Sequence, residues 1–259
     1  MHSKDITSLY LIQRFFNVGN VTLHGDSAMY QVIRLSDLAC VIKHFNDYPL
    51  KTQKHADFLL FKKAFDIINN KQHLTESGLR NLISIRASMN KGLPERLEAA
   101  FPKIIPVERP TVAKANFESN TSDIKYWVSG FMSGEACFMI KVSKSKTHKL
   151  GSSTALYFLV NQHIRDAYLL ENFTQFFDCG SFSIKEKSDI ATFTVTNFNN
   201  ILEKVIPFFV EYPILGIKSK DFEDFKQASL LIKSKTHLTR QGFDEILLIK
   251  SRMNFKREL

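Results

Sequence analysis

An internal repeat limits the folds that are open to this chain. A segment of 43 residues, 48 to 90, returns 164 positions later as residues 212 to 254. The copies read YPLKTQKHADFLLFKKAFDIINNKQHLTESGLRNLISIRASMN and YPILGIKSKDFEDFKQASLLIKSKTHLTRQGFDEILLIKSRMN, with 17 of the 43 positions identical and no gap. Upstream, FFNVGNV (15 to 21) matches FFDCGSF (176 to 182) after a small shift. Self-similarity of this kind predicts that one supersecondary unit is built twice.

The two copies differ at their front ends. The first copy has no counterpart of residues 122 to 161, so we expect the first repeat to be truncated at its N-terminal αββ part. The sequence therefore predicts a truncated first repeat over 1–90, a linker over 91–122 and a complete second repeat over 123–259. The linker prediction rests on four of the chain's seven prolines, which interrupt regular structure there.

The second copy shows the complete unit. WVSGFMSGEACF (127 to 138) is helix-like and rich in glycine and serine, which favours close packing against a neighbouring helix. CFMIKVS and STALYFLVNQ then alternate apolar and polar residues, as half-buried strands do. An amphipathic helix, a hairpin and apolar helices follow, with Thr75 and Thr239 as N-caps. The prediction is an α+β fold, a duplicated αββαββα saddle whose helices cover one face of an antiparallel sheet.

Composition narrows the class of protein. The formal net charge of +9 favours a polyanionic partner such as nucleic acid. Three scattered cysteines without CxxC spacing indicate neither a disulfide framework nor a zinc site. No apolar run is long enough for a membrane span, so we expect no membrane partner, and no targeting peptide is visible. Frequent Phe, Lys, Ile and Asn suggest AT-rich coding, which predicts a mitochondrial or other organellar origin.

The predicted open face of the sheet and the basic turn KSKTHKLG (144 to 151) carry the candidate nucleic-acid contacts. Short hydrogen-bonding side chains on such a face can read base edges, while lysines contact phosphates. The alternative, a solvated outer face with no partner, stays open at this point. The candidates are Lys141, Ser143, Lys144, Lys146, Lys149, Asn161, Ser183, Lys185, Thr194 and Thr196 in the second copy, and His24 and Gln31 in the first.

The duplicated unit, the helix WVSGFMSGEACF and the twice-occurring pattern YP...HLT...G...I...MN together resemble the LAGLIDADG homing endonucleases in their two-repeat, single-chain form. In that family two motif helices pack against each other at a pseudo-twofold axis. Their C-terminal acidic residues lie over the scissile phosphates and bind divalent metal. The resemblance implies a nuclease frame over nearly the whole chain.

The resemblance also implies roles for four residues. Glu135 matches the metal-binding acid, Gln162 matches a polar position that helps to place water, and Lys218 and Lys54 match basic positions near the active centre. If the protein is active, Mg²⁺ is the expected cofactor; otherwise none is expected. Because the first repeat has no motif helix, we expect the second acid to be absent and the chain unable to cleave alone. The 127–134 helix then needs a protein or nucleic-acid surface to cover it.

Three functions follow from these observations. The first is a nucleic-acid-binding protein that acts on structured RNA, as an intron maturase or as part of an organellar ribosome or other ribonucleoprotein. The second is an active Mg²⁺-dependent, site-specific DNA homing endonuclease whose first motif lies upstream or on another chain. The third is a DNA-binding regulator without catalysis. As the nucleic-acid partner, RNA is favoured over DNA. The sequence also predicts a structural role for His73 and His237, because they recur beside a helix cap.

Overall fold

The fold is described from a computed structural model, which describes residues 1–114, 117, 121–254 and 257. The chain divides into two units: unit 1 comprises Met1–Ser8 and Asn116–Leu259, and unit 2 comprises Leu9–Ala115. These units do not follow the repeat boundaries at 90 and 122, which stay predictions about the sequence. The predicted linker lies partly outside the described residues.

Unit 2 holds a two-stranded antiparallel sheet and helices that follow it. Its elements are α1 (Ile6–Phe16, which begins in unit 1), β1 (Asn20–His24), β2 (Ser27–Gln31), α2 (Leu35–Asp47), α3 (Lys54–Asn69), α4 (Glu76–Ala87) and α5 (Glu95–Ala100). As predicted, Thr75 caps α4: its hydroxyl accepts a hydrogen bond from the Gly78 amide at 3.0 Å. Val107 of the predicted linker packs against a core of Leu60, Ile67 and Ile85.

Unit 1 contains the complete repeat and has the predicted order. Its elements are α6 (Ser122–Glu135), β3 (Ala136–Lys144), β4 (Ser152–His163), α7 (Ala167–Phe176), β5 (Ser181–Lys185), β6 (Ile190–Val195), α8 (Phe198–Asn200), α9 (Ile206–Glu211), α10 (Lys218–Lys233) and α11 (Arg240–Ser251). The four strands form an antiparallel sheet in the order β3-β4-β6-β5. Thr239 caps α11 through the Gly242 amide at 3.1 Å, again as predicted.

A phenylalanine cluster forms the centre of unit 1. Phe138, Phe158 and Phe193 alternate inward from three neighbouring strands and are fully buried, because successive side chains of a strand point to opposite faces. Phe209 and Phe225 come from helices and meet them, with the Phe138 ring 5.6 Å from that of Phe209 and 5.3 Å from that of Phe225. The inward face of the sheet is therefore closed by helices, and the outward face carries the polar alternates.

Two details correct the sequence interpretation. Strand β3 extends to Lys144, which we had expected to begin the basic turn, because Lys144 pairs in register with Ser152. The first eight residues group with unit 1, because the Ile217 amide donates to Asp5 Oδ1 at 2.7 Å. No helix in the described ranges is long and apolar enough to cross a membrane.

Candidate active centre and nucleic-acid interface

Helix α6 packs one face onto its own unit through small and apolar residues. Ile124, Val128 and Met132 are buried, and so is Ser129, whose hydroxyl donates to the Tyr212 carbonyl at 2.9 Å. Ser133 lies one turn later and its hydroxyl accepts from the Leu215 amide at 2.9 Å. The serines of the motif thus bind the loop that precedes α10.

The opposite face of α6 is open. Tyr126 is 62% exposed, and Gly130 and Gly134, spaced four residues apart, are also exposed. A Cβ placed on either glycine meets no atom of the described part of unit 1 within 4 Å. Residues four apart share one face of a helix, so these positions form a smooth strip onto which a second helix could pack closely.

Glu135 is the last residue of α6, and it is exposed. The C-terminal end of a helix carries partial negative charge, which adds to that of the carboxylate and favours a cation there. Lys218, the first residue of α10, donates from Nζ to the Gly134 carbonyl at 2.7 Å. Burial lowers the pKa of Lys218, while the nearby Glu135 carboxylate acts in the opposite direction. The structure therefore brings Glu135 and Lys218 to one place.

A cleft opens beside this junction. It is lined by Lys218, by Gly134, Ala136 and Cys137 at the α6–β3 junction, by Asp221 and Asn254, and by His2, Lys4, Asp5 and Ile217. Burial raises the pKa of the Cys137 thiol, which lies 3.9 Å from Asn254 Oδ1. Asn254 and Asp221 were not predicted as site residues, although both recur in the repeat.

The other two predicted catalytic residues lie on other elements than α6 and α10. Gln162 is half-buried on β4 opposite Ala191, and its alternation places it on the helix-covered side of the sheet. Lys54 begins α3 of unit 2, where its Nζ donates to Asn90 Oδ1 at 3.1 Å. The roles of Glu135, Gln162, Lys54 and Lys218 stay predictions.

The open face of the unit 1 sheet carries most of the predicted nucleic-acid contacts. The strand register places on this one face Lys141, Ser143, Asn161, Ser183, Lys185 and Thr194. Two of these residues have side-chain partners that were not predicted, because the partners depend on how the strands pair. The Thr192 hydroxyl donates to Asn161 Oδ1 at 2.7 Å, and Lys141 Nζ lies 5.2 Å from the centre of the Tyr157 ring.

The remaining predicted contacts lie at strand ends and in unit 2. Lys144 alternates to the other side of the sheet, Lys146 and Lys149 lie in the exposed turn after it, and Thr196 follows β6. In unit 2, His24 and Gln31 point to the same exposed face of the hairpin, because Asn20 pairs with Gln31 and His24 pairs with Ser27. Each unit thus presents its own polar sheet face.

The predicted metal site depends on the Glu135 carboxylate. Glu135 offers hard oxygen ligands of the kind that Mg²⁺ prefers. No group of three or more His, Cys, Asp or Glu side chains in the described ranges could hold a metal ion. The metal-binding role of Glu135 therefore stays a prediction.

Comparison with known proteins agrees with this architecture. A protein of Neurospora crassa named "Probable intron-encoded endonuclease 3" is 36% identical over 97% of this chain and 47% of its own length. The I-SmaMI LAGLIDADG homing endonuclease bound to cleaved DNA superposes with a TM-score of 0.94 at 35% identity, covering 100% of this chain and 85% of that one. I-SmaMI bound to uncleaved DNA with calcium ions gives 0.92 at 36% identity, covering 98% and 86%.

These matches confirm the predicted saddle fold. The chain spans about half the length of the curated relatives it matches. The matches do not confirm that the first motif helix is missing, and this absence stays a prediction. They support the DNA endonuclease alternative better than the RNA-binding function, for which they give no support. The family profile described as LAGLIDADG endonuclease matches residues 1–65 and 128–229. The chain belongs to the LAGLIDADG endonuclease family.

Proposed function

We propose that this chain recognises a DNA site and supplies one half of the active centre of a divalent-metal-dependent homing endonuclease. The observation that carries the proposal is the end of α6, where an exposed carboxylate, a lysine and an open glycine strip lie together. The second acid would come from a further motif helix, on a segment outside these 259 residues or on another chain. The proposal also draws on solved relatives, which are complexes with DNA targets.

Recognition would use the polar sheet faces. A curved antiparallel ribbon fits the major groove, where each base pair presents a distinct set of donors and acceptors. Asn161 and Thr194 can donate to and accept from base edges, while Lys141 and Lys185 can bind phosphates. The net charge of +9 adds a sequence-independent attraction to the same partner.

Cleavage would use Glu135 and Lys218. Mg²⁺, when bound, activates water and stabilises the leaving oxygen of a phosphodiester. Glu135 would hold the metal by an oxygen at the open helix end. Lys218, which lies beside the carboxylate, would stabilise negative charge on the phosphate in its protonated form.

The open strip of α6 would be covered by the second motif helix. Two helices with glycines at four-residue spacing can approach closely enough to bring their terminal carboxylates together. We further propose that the protein is organellar, as the compositional bias predicts, and intron-encoded, as the names of two relatives state for those proteins.

A selection experiment distinguishes DNA from RNA. The purified chain is offered pools of randomised duplex DNA and of structured RNA at several salt concentrations. Enrichment of one duplex DNA sequence supports the proposal, and enrichment of RNA with no DNA consensus would instead favour the maturase-like function. Lys141→Ala should weaken binding of all DNA sequences about equally, because a phosphate contact carries no sequence information.

The second carboxylate can be tested with the chain's own element. A copy of residues 122–163, joined ahead of Met1, would provide a second motif helix and two strands. With Mg²⁺ we expect this fusion to cut both strands of the selected duplex. The same fusion with Gly130→Leu in both helices should bind DNA and fail to cut, because leucine holds the helices apart.

A further inference from the structure

Glu135 is bracketed by two hydrogen bonds to the backbone around it. On its N-terminal side, Lys218 Nζ donates to the Gly134 carbonyl at 2.7 Å. On its C-terminal side, Asn254 Nδ2 donates to the Phe138 carbonyl at 3.1 Å. Phe138 belongs to β3, an edge strand of the sheet, so this bond satisfies a backbone group on the side away from β4.

The asparagine is also tied to α10 through a buried carboxylate. Asp221 lies in the first turn of α10, the helix that Lys218 begins, and is 6% exposed. Its Oδ1 accepts from the Asn254 amide at 3.0 Å and from Arg257 Nη2 at 2.7 Å. A closed path therefore runs from the end of α6 through Lys218, Asp221 and Asn254 to β3, and back along the chain through Glu135.

The same arrangement occurs a second time in this chain. In unit 2, Asp57 Oδ1 accepts from the Asn90 amide at 3.2 Å and from Arg109 Nη1 at 2.7 Å. Asp57 and Asn90 occupy the repeat positions of Asp221 and Asn254. There the Asn90 side chain accepts from Lys54 Nζ. In unit 1, the corresponding Lys218 and Asn254 instead bind the motif helix α6 and the strand β3.

The backbone explains why asparagine serves here. Asn90 and Asn254 both have positive φ, 49° and 58°, a region that asparagine adopts more readily than most residues other than glycine. That conformation follows the helices α4 and α11 and lets the backbone amide and the side chain bond in different directions. Glycine fits the same φ and lacks the side-chain donor.

We infer that Asn254 is a positioning residue for Glu135. It ties the first residues of β3 to Asp221 on α10, and so fixes the α6–β3 junction from which the carboxylate projects. The inference rests on the proposed function of Glu135 and extends it, since it assigns a role to a residue that would touch neither DNA nor metal.

The test uses the full chain with Asn254→Gly, which keeps the backbone conformation, and Asn254→Asp, which keeps the shape and loses the donor. Asn90→Gly is the matched control in the other repeat. Hydrogen exchange of residues 136–140 reports whether the Asn254 side chain holds the start of β3, a contact that we call the clamp. The free energy of unfolding reports global stability. Calcium is the metal probe, since a solved relative holds target DNA uncleaved with calcium ions. Its effect on affinity for the selected duplex is read against Glu135→Gln.

Relative to the wild type, we expect both Asn254 variants to exchange faster over residues 136–140 and at an unchanged rate over β6. In Asn90→Gly the exchange rate of residues 136–140 should not change. The calcium concentration for half-maximal effect should rise about tenfold, as for partners that orient metal ligands, while metal-free affinity stays as in the wild type. Unchanged exchange and an unchanged calcium midpoint would overturn the inference. If calcium has no effect on the wild type, the metal role of Glu135 fails, and hydrogen exchange alone then decides whether the clamp exists.

Discussion

Replacing Gly130 by alanine should stabilise this chain. Glycine in a helix interior costs about 0.8–1.0 kcal/mol relative to alanine, because it loses more backbone freedom on folding. Gly130 lies within α6, Ser122–Glu135, and its new Cβ meets no atom of the described part of unit 1 within 4 Å. We therefore expect Gly130→Ala to raise the free energy of unfolding by roughly that amount and the melting temperature by about 2–4 °C.

Trp127 gives a local assay for this change. It is the chain's single tryptophan and stacks on Phe131 of the same helix at 5.2 Å, so its fluorescence follows α6 during denaturation in urea. Gly242→Ala is the opposite control, since its Cβ would lie 2.1 Å from the Thr236 carbonyl oxygen. We expect that variant to lose about 1–3 kcal/mol by overpacking.

A destabilising effect of Gly130→Ala would contradict this prediction. A loss of about 1 kcal/mol or more would mean that the glycine strip already packs against a neighbour in this chain, since only a contact could offset the gain in helix propensity. The open face of α6 would then need no second motif helix. The proposal that this chain supplies half of an active centre would lose its main structural support.

Three further predictions follow from caps, charge and contacts. Thr239→Ala should cost about 1 kcal/mol of unfolding free energy, because the Gly242 amide loses its acceptor, and urea denaturation measures it. Lys185→Ala should reduce the slope of log affinity for DNA against log salt by about one, for one lost phosphate contact. Burial alone would raise the pKa of Asp57, but hydrogen bonds from Arg109 and the Asn90 amide lower it below its ordinary 3.8. Its stabilising effect is therefore complete above that pH and lost as pH falls through the lowered value, and Asp57→Asn should remove this part of the acid dependence of melting temperature.

The repeat made the fold predictable, because identity between two distant segments reports on both at once. Thr75 and Thr239 were predictable as caps for a related reason: a cap needs only its own hydroxyl and an amide three residues on. The strand alternation likewise predicted which face of β3 and β4 is polar.

Contacts between distant parts of the chain could not be predicted from local pattern. The bond from Ile217 to Asp5 joins residues 212 positions apart and places the first residues in unit 1. Thr192 became a partner of Asn161 only through the β4–β6 register, which the alternation of either strand leaves undetermined. Asn254 recurs in the repeat, yet its sequence does not show that its side chain reaches Phe138.

Cleavage by the fusion that carries a second copy of residues 122–163 shows whether this chain supplies half of a nuclease active centre. The selected DNA duplex is incubated with that fusion and Mg²⁺, and both strands are followed on a denaturing gel, with a chelator as control. We expect cleavage of both strands that needs metal, and loss of that cleavage when Glu135→Gln is introduced at its original position. Cutting by the Glu135→Gln fusion at the rate of the unmutated fusion would contradict a catalytic role for Glu135.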